Sequence, residues 1–319
     1  MLTALVFGVQ CRARAVVEPE ENAAWQRVAN APAGVYEAQG AITAGRLMVF
    51  GGFFDAATRA TTRSSAYDPL ADRWTPIAPM PEPITHAGTA ADGRYVYFAG
   101  GFIGDHPGPN TAHVWRYDTV RDSWLALPDL PAPRGAGAAA IVGRDLHFFG
   151  GAIREGATWI SDSGDHWILS LDSLAAWRTR APLPDPRNHL GALTLGNIVY
   201  AVGGQHLGDE WRGNSARVHA YDAIADAWRA VASMPAPCGH VAASVVEWNG
   251  RMVVIGGLGA AAVQLSDVIE YDPLTDRWSA LPSLPAPRQS PVAGSVANRL
   301  IVATGGHNGP RATTWNLVQ

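Results

Sequence analysis

A chain of 319 residues that is 47% hydrophobic and 16% charged can bury a large core. Its formal net charge is −4 and all 24 basic residues are arginines, which argues against nucleic acid as a partner and excludes Schiff-base and lysine-base chemistry. Two cysteines, Cys11 and Cys238, make neither a disulfide framework nor a thiolate metal centre. The bias toward Ala, Arg, Gly and Pro suits a bacterium with a GC-rich genome.

In chain order, the first feature is an apolar run over residues 2–9, far shorter than the ~20 residues a bilayer span needs. Ala13-Arg14-Ala15 then forms a small-x-small pattern of the kind a signal peptidase cuts, although a basic segment ahead of the run is missing. Residues 1–15 are therefore read as a signal-like segment, with an extra strand or a frayed terminus as the alternative. On that reading the protein is expected outside the cytoplasm, periplasmic or secreted, with a cytoplasmic location as the alternative. No later window is apolar for 18 residues, so no membrane span is expected.

From residue 16 to 319 one pattern repeats. An apolar run ending in a double glycine occurs six times: "LMVFGG", "VYFAGG", "LHFFGG", "IVYAVGG", "MVVIGG" and "LIVATGG". Their first glycines, from Gly51 to Gly305, stand 49, 50, 53, 53 and 49 residues apart. An aromatic-Asp pair and a tryptophan follow: Tyr67-Asp68 with Trp74, Tyr117-Asp118 with Trp124, Tyr221-Asp222 with Trp228, and Tyr271-Asp272 with Trp278. The third repeat departs, with Leu171-Asp172 and Trp177 one residue early. A proline then follows each of the five tryptophans by nine residues, from Pro83 to Pro287.

Each piece has a physical role. Apolar residues on consecutive positions predict strands buried on both faces. The Asp after each aromatic can accept bonds from its own backbone and so start a hairpin turn. Each unit thus predicts four short strands, a sheet too small to stand alone. Such sheets stack radially into a propeller.

Double glycine, Tyr-Asp and tryptophan at a ~50-residue period resemble the kelch repeat. The resemblance covers residues from about 22 to the end, and implies an all-β, six-bladed β-propeller with four-stranded antiparallel blades in one domain. The last unit stops after its third strand, with Trp315-Asn316 in place of the aromatic-Asp pair, while Trp25 and Pro32 lack a preceding glycine pair. The Trp25 strand is therefore predicted to complete the last blade and close the ring.

The segments from glycine pair to aromatic-Asp pair hold 14, 15, 19, 16 and 13 residues, whereas tryptophan-to-proline spacing never changes. By the kelch resemblance the variable segments and the loops between blades share one face, where binding groups are carried. The third variable segment carries Trp159, Asp162, Asp165, His166 and Trp167; the fourth carries His206, Asp209, Glu210, Trp211, Arg212 and Arg217. Aromatic faces beside carboxylates and arginines suit a polar, ring-shaped ligand such as a sugar.

His86, His189 and His240 each stand three residues after the repeat proline; Arg134, Arg187 and Arg288 follow it directly. Three guanidinium groups near one mouth would suit an anionic ligand. The histidines line the same mouth, but the kelch resemblance gives that position a structural role. With blades two and five opposite, His86 and His240 are not expected to share an ion, so neither metal nor cofactor is assigned.

Two function classes follow. The first is a recognition module, expected to be monomeric, that holds a glycan or a protein on the loop face. The second is an enzyme. N-acetylneuraminate mutarotases are six-bladed bacterial kelch proteins similar in size, with a glutamate and an arginine in a top loop. That resemblance implies Glu210 as acid/base on the anomeric hydroxyl, and Arg217 or Arg212 holding the carboxylate. Galactose-oxidase-like copper enzymes need a Tyr-His pair, which is absent, and Cys238 would be their only support. Asp162, Asp165 and His166 do not reproduce the spacing of the iron-dependent specifier proteins.

Overall fold

The computed structural model describes residues 25–208, 213–306 and 309–318. The signal-like segment 1–15 lies outside the described residues, as do Glu210, Trp211, Arg212 and His307. Among the described residues no helix is long and apolar enough to cross a membrane.

Six four-stranded antiparallel sheets follow one another around an axis, as the repeats predict. Blade 1 comprises Gln39–Thr43, Arg46–Phe50, Ser64–Asp68 and Arg73–Ile77. The last blade takes Val292–Val296, Arg299–Ala303 and Thr314–Val318 from the end of the chain and Trp25–Val28 from its beginning, with Trp25 opposite Leu317. The ring is closed as expected. Every second strand buries its last four residues, because blades pack against both faces of it. Phe50, for example, meets Phe98, Tyr117 and Trp124 of the next blade, ring centres 4.9 to 5.7 Å away.

The Asp of each aromatic-Asp pair does start the turn. Asp68, Asp118, Asp222 and Asp272 accept the backbone N–H two residues on, at 2.8 to 3.0 Å. A second aspartate, four residues later, does something the repeat reading missed. Asp226 Oδ1 accepts the Tyr221 hydroxyl at 2.7 Å and the N–H of Ala181 in the preceding blade at 2.9 Å. Trp228 Nε1 donates to the carbonyl of that same Ala181 at 2.8 Å. Asp72 with Trp74 grips Ala29 in the same way, Asp122 with Trp124 grips Ala78, and Asp276 with Trp278 grips Ala232. Four blades thus hold one residue of the preceding blade by both its N–H and its C=O, through a charge-assisted bond of about 1.5–3 kcal/mol and a neutral one. The signal was present in the sequence as Asp-x-x-x-Asp inside four hairpins. The third blade has Leu171 instead of tyrosine, and there Trp177 alone reaches back, to Pro128 at 2.9 Å. Trp25 does so for the closing strand, to Pro282 at 2.8 Å.

Candidate functional site

The turn that enters each blade reads Pro-x-Pro-Arg-x-His or a variant of it. Its course depends on the double glycines. A Cβ on Gly204 would sit 2.6 Å from the carbonyl oxygen of Asn188 in its own entry turn, and one on Gly203 would sit 2.3 Å from that of Cys238 in the next. Both glycines also have positive φ, 55° and 96°. With no side chain in the way, the N–H groups of Gly101, Gly151, Gly204 and Gly257 bond the next entry turn at 2.8 to 2.9 Å.

So drawn in, the third residue after the proline reaches the axis, and in the first turn, where Gly34 stands in the place of the proline, the third residue after that glycine does so. Glu37, His86, Ala136, His189, His240 and Ser290 occupy this position, one per blade, and all six have φ between 47° and 57°. The shared left-handed conformation has a shared cause: Ala136, His189, His240 and Ser290 each donate their N–H to the carbonyl of the preceding member, at 2.8 to 3.2 Å. A chain of backbone hydrogen bonds therefore runs around the axis from His86 to Ser290.

That ring corrects the expectation that His86 and His240 are kept apart. The rings of His86 and His189 lie 4.8 Å centre to centre and those of His189 and His240 4.3 Å. One nitrogen from each of the three lies within 4.8 Å of the others. Glu37 faces them, its Oε1 2.7 Å from His240 Nδ1 and its Oε2 3.2 Å from His86 Nε2. Gln289 Nε2 and the Ser290 hydroxyl also donate to Oε1, at 3.0 and 2.5 Å. Burial by itself would raise the Glu37 carboxyl, but the charges and hydrogen bonds of His240 and His86 hold it well below the usual carboxylate range. Sequence reading missed Glu37 because its turn has Gly34 where the other five have the repeat proline.

The ring plugs one end of a channel that runs along the first strands. The channel is a cavity of about 330 Å³ lined by small residues, among them Gly40, Thr89, Ala139, Ala192, Ala242 and Gly294. At the ring itself a space of about 20 Å³ remains, sharing Thr89, Ala242 and Ala243 with the channel.

The arginines go elsewhere. Arg187 is wholly buried within its own blade, its guanidinium donating to the carbonyls of Gly203 at 2.6 Å, Ala201 at 3.0 Å and Asp185 at 3.0 Å. Arg288 bonds Thr304 and Thr313 and covers the Trp315 ring at 4.2 Å. Arg134 binds Asp165 and the Pro133 carbonyl and covers Trp167 at 5.1 Å. The expected anionic mouth is therefore not formed by these three groups, which tie entry turns to their blades. His166 is corrected too. It is buried between blades 3 and 4, 2.9 Å from His147 Nδ1 and 4.5 Å centre to centre from Tyr221. Burial depresses its imidazole to about 4 and that of His147 to about 3. Trp159 packs beside Phe102, Ala136 and Ala152 and against Gly208, anchoring its hairpin.

A polar cluster does form where the third and fourth variable loops meet. Arg217, with 63% of its side chain exposed, places Nη1 2.9 Å from Asp185 Oδ1, and His206 Nε2 lies 3.5 Å from Asp185 Oδ2. Asp162 accepts the N–H of Leu207 at 2.9 Å and the amide of Asn188, whose oxygen in turn meets His189 Nδ1. Asp162 thus ties the fourth variable loop to the axial ring by hydrogen bonds through Asn188, with His206 3.9 Å from its carboxylate. Cys238 takes no part: its thiol donates to the Gly256 carbonyl at 3.3 Å and burial pushes it up to about 12, which removes the support a copper-thioether reading would need.

Comparison with known proteins agrees with this architecture. The KLHDC2/KLHL20/DRC7 Kelch-repeats domain family matches residues 85–306. The chain is 38% identical to a kelch repeat-containing protein of Arabidopsis thaliana over 80 residues, 25% of this chain and 18% of that one. It is 24% identical to Kelch-like protein 35 of Mus musculus over 233 residues, 73% of this chain and 29% of that one. The matched region is thus less than a third of the length of either relative. Among solved structures, that of YjhT shares the fold, with a TM-score of 0.72 at 16% identity over 91% of this chain and 95% of that one. Double glycines that admit the entry turns, Tyr-Asp hairpins that grip the preceding blade, and a family match over most of the ring lead to one conclusion: this chain belongs to the kelch-repeat family, as a six-bladed propeller.

Proposed function

We propose that this propeller is a recognition module that holds a glycan or a protein segment on the loop face over blades 3 and 4. The observation that carries the reading is the exposed Arg217 guanidinium, fixed by Asp185 beside His206 and Asp162 at the junction of the two longest variable loops. A guanidinium oriented by one carboxylate and still open to solvent can take a second carboxylate or a pair of hydroxyls from a ligand. Carboxylate and imidazole groups around it supply acceptors for the remaining hydroxyls. Glycan-array and peptide-array binding of the purified chain tests this. Capture lost in Arg217→Ala and His206→Ala, with both variants as stable as wild type, is the expected result; a ligand held equally by wild type and Arg217→Ala overturns it.

A second reading, a carbohydrate-active enzyme of the sialic-acid mutarotase or epimerase type, draws on the same arginine. Arg217 would hold a sugar carboxylate, and Glu210, two residues past Gly208 in the same loop, would act as acid/base on the anomeric hydroxyl. Proton NMR of a sialic acid decides: faster anomer exchange that is lost in Glu210→Gln supports it, and an uncatalysed rate with wild type removes it.

A further inference from the structure

We infer that the axial ring is a binding site for one divalent transition-metal ion of the zinc class, with His86, His189 and His240 as ligands and Glu37 as the carboxylate that orients them. The inference is independent of what the loop face holds.

Four observations carry it. The three rings converge, one nitrogen of each lying within 4.8 Å of the other two. A zinc centre with Zn–N of about 2.0–2.1 Å needs nitrogens about 3.4 Å apart, so a closing movement on the order of 1 Å completes the set. Next, Nδ1 of every ring already faces an oxygen: Thr85 Oγ1 for His86 at 2.9 Å, Asn188 Oδ1 for His189, and Glu37 Oε1 for His240 at 2.7 Å. Oxygen partners on Nδ1 are the outer-sphere arrangement of histidines that bind a metal through Nε2. Third, an anion is already buried here. Glu37, 8% exposed, lies against His86 and His240, and an ion held by neutral imidazoles would supply the positive charge that protonated imidazoles otherwise give it. Its Oε2 lies 3.2 Å from His86 Nε2, the partner that the ion would replace. Finally, the space of about 20 Å³ at the ring holds one water-sized group and opens on the channel, so a fourth position is available for water. Packing alone does not call for these side chains. Ala136 and Ser290 occupy the same ring position in two blades with the same backbone conformation.

Neutral imidazoles suit Zn²⁺, Co²⁺, Ni²⁺ and Cu²⁺, and bind Mg²⁺ and Ca²⁺ poorly, since these take oxygen donors. The test uses the untagged full chain, stripped with a chelator and titrated with zinc chloride and, separately, cobalt chloride. One equivalent of zinc bound per chain, a rise in unfolding temperature, and visible d–d absorption with cobalt are expected. His189→Asn and His240→Gln should abolish all three, and Glu37→Gln should weaken zinc binding about ten- to hundredfold. Circular dichroism confirms that each variant is folded. A folded His189→Asn/His240→Gln double variant that still takes up one equivalent overturns the proposal, as does a wild-type chain that binds no zinc. Should the variants not fold, the wild-type cobalt spectrum still decides: nitrogen-coordinated cobalt supports the site and an aquo spectrum overturns it.

Discussion

Two positions of one turn, two residues apart, meet opposite fates in this propeller. The residue after the repeat proline, arginine in three blades, turns into its blade and disappears among carbonyl groups. The residue two places on turns to the axis and joins its counterparts from the other blades. Both looked like ligands for the same mouth. What separates them is the backbone: the left-handed third residue redirects the chain at the axis, and the interblade backbone hydrogen bonds hold it there. A side chain's type at a repeat position is thus a weak guide to its role, because the repeat multiplies structural and chemical residues alike.

The largest effect that would test this contrast is expected from Arg187→Met. It leaves the carbonyls of Ala201, Gly203 and Asp185 without donors in a dry interior, at a cost of about 3–5 kcal/mol in urea unfolding. His189→Asn, two residues on, should cost about 1 kcal/mol. Equal losses would mean that ring and blade positions are not different in kind. Asp226→Ala should cost about 2 kcal/mol, because the Ala181 N–H and the Tyr221 hydroxyl lose a shared acceptor. Asp172→Ala, in the hairpin of the third blade where no tyrosine is present, removes an exposed pair with Arg144 and should change stability by less than about 0.5 kcal/mol.

Acid should act between the blades, and also at His219 beside Arg187, whose imidazole burial depresses to about 4. His147 and His166 face each other, Tyr221, Arg180 and Asp226, and burial depresses them to about 3 and about 4. In the unfolded chain both titrate near 6.5, so between roughly pH 6.5 and 4 the unfolded state binds more protons than the native one. Their contribution is complete above pH 6.5 and is lost as pH falls toward 4, by on the order of 1 kcal/mol per pH unit for each. His166→Phe should flatten that slope in urea titrations across the window; an unchanged slope would place the acid sensitivity elsewhere. The smallest effect is expected from Ala136→Gly, where relief of a φ of 53° offsets the lost methyl group to within about 0.5 kcal/mol. A large loss there would mean that side chains, not backbone hydrogen bonds, build the axial ring.

Much of the scaffold was legible in the residues themselves. Consecutive apolar positions before each glycine pair, the Tyr-Asp turns, and the orphan Trp25 all report local demands of strand, turn and edge, so blade number and ring closure could be read directly. The Asp at the fourth place of each hairpin was readable in principle, through its spacing, although its partner lies in another blade. The candidate site was far less legible. Trp159, Asp165, His166 and Arg134 belong to residue types that bind ligands, yet packing committed them to one another.

What the sequence alone determined is the repeat: where each blade starts, which strands are buried on both faces, and which strand closes the ring. Such features depend on periodicity and on the conformational range of single residues. Only the tertiary structure decided which polar groups meet. The distance between His86 and His240 is set by how tightly six entry turns bond around the axis, and Glu37 joins them from a turn more than two hundred residues away from His240. Convergence of that kind is a property of the closed ring, and no segment of the chain carries it by itself.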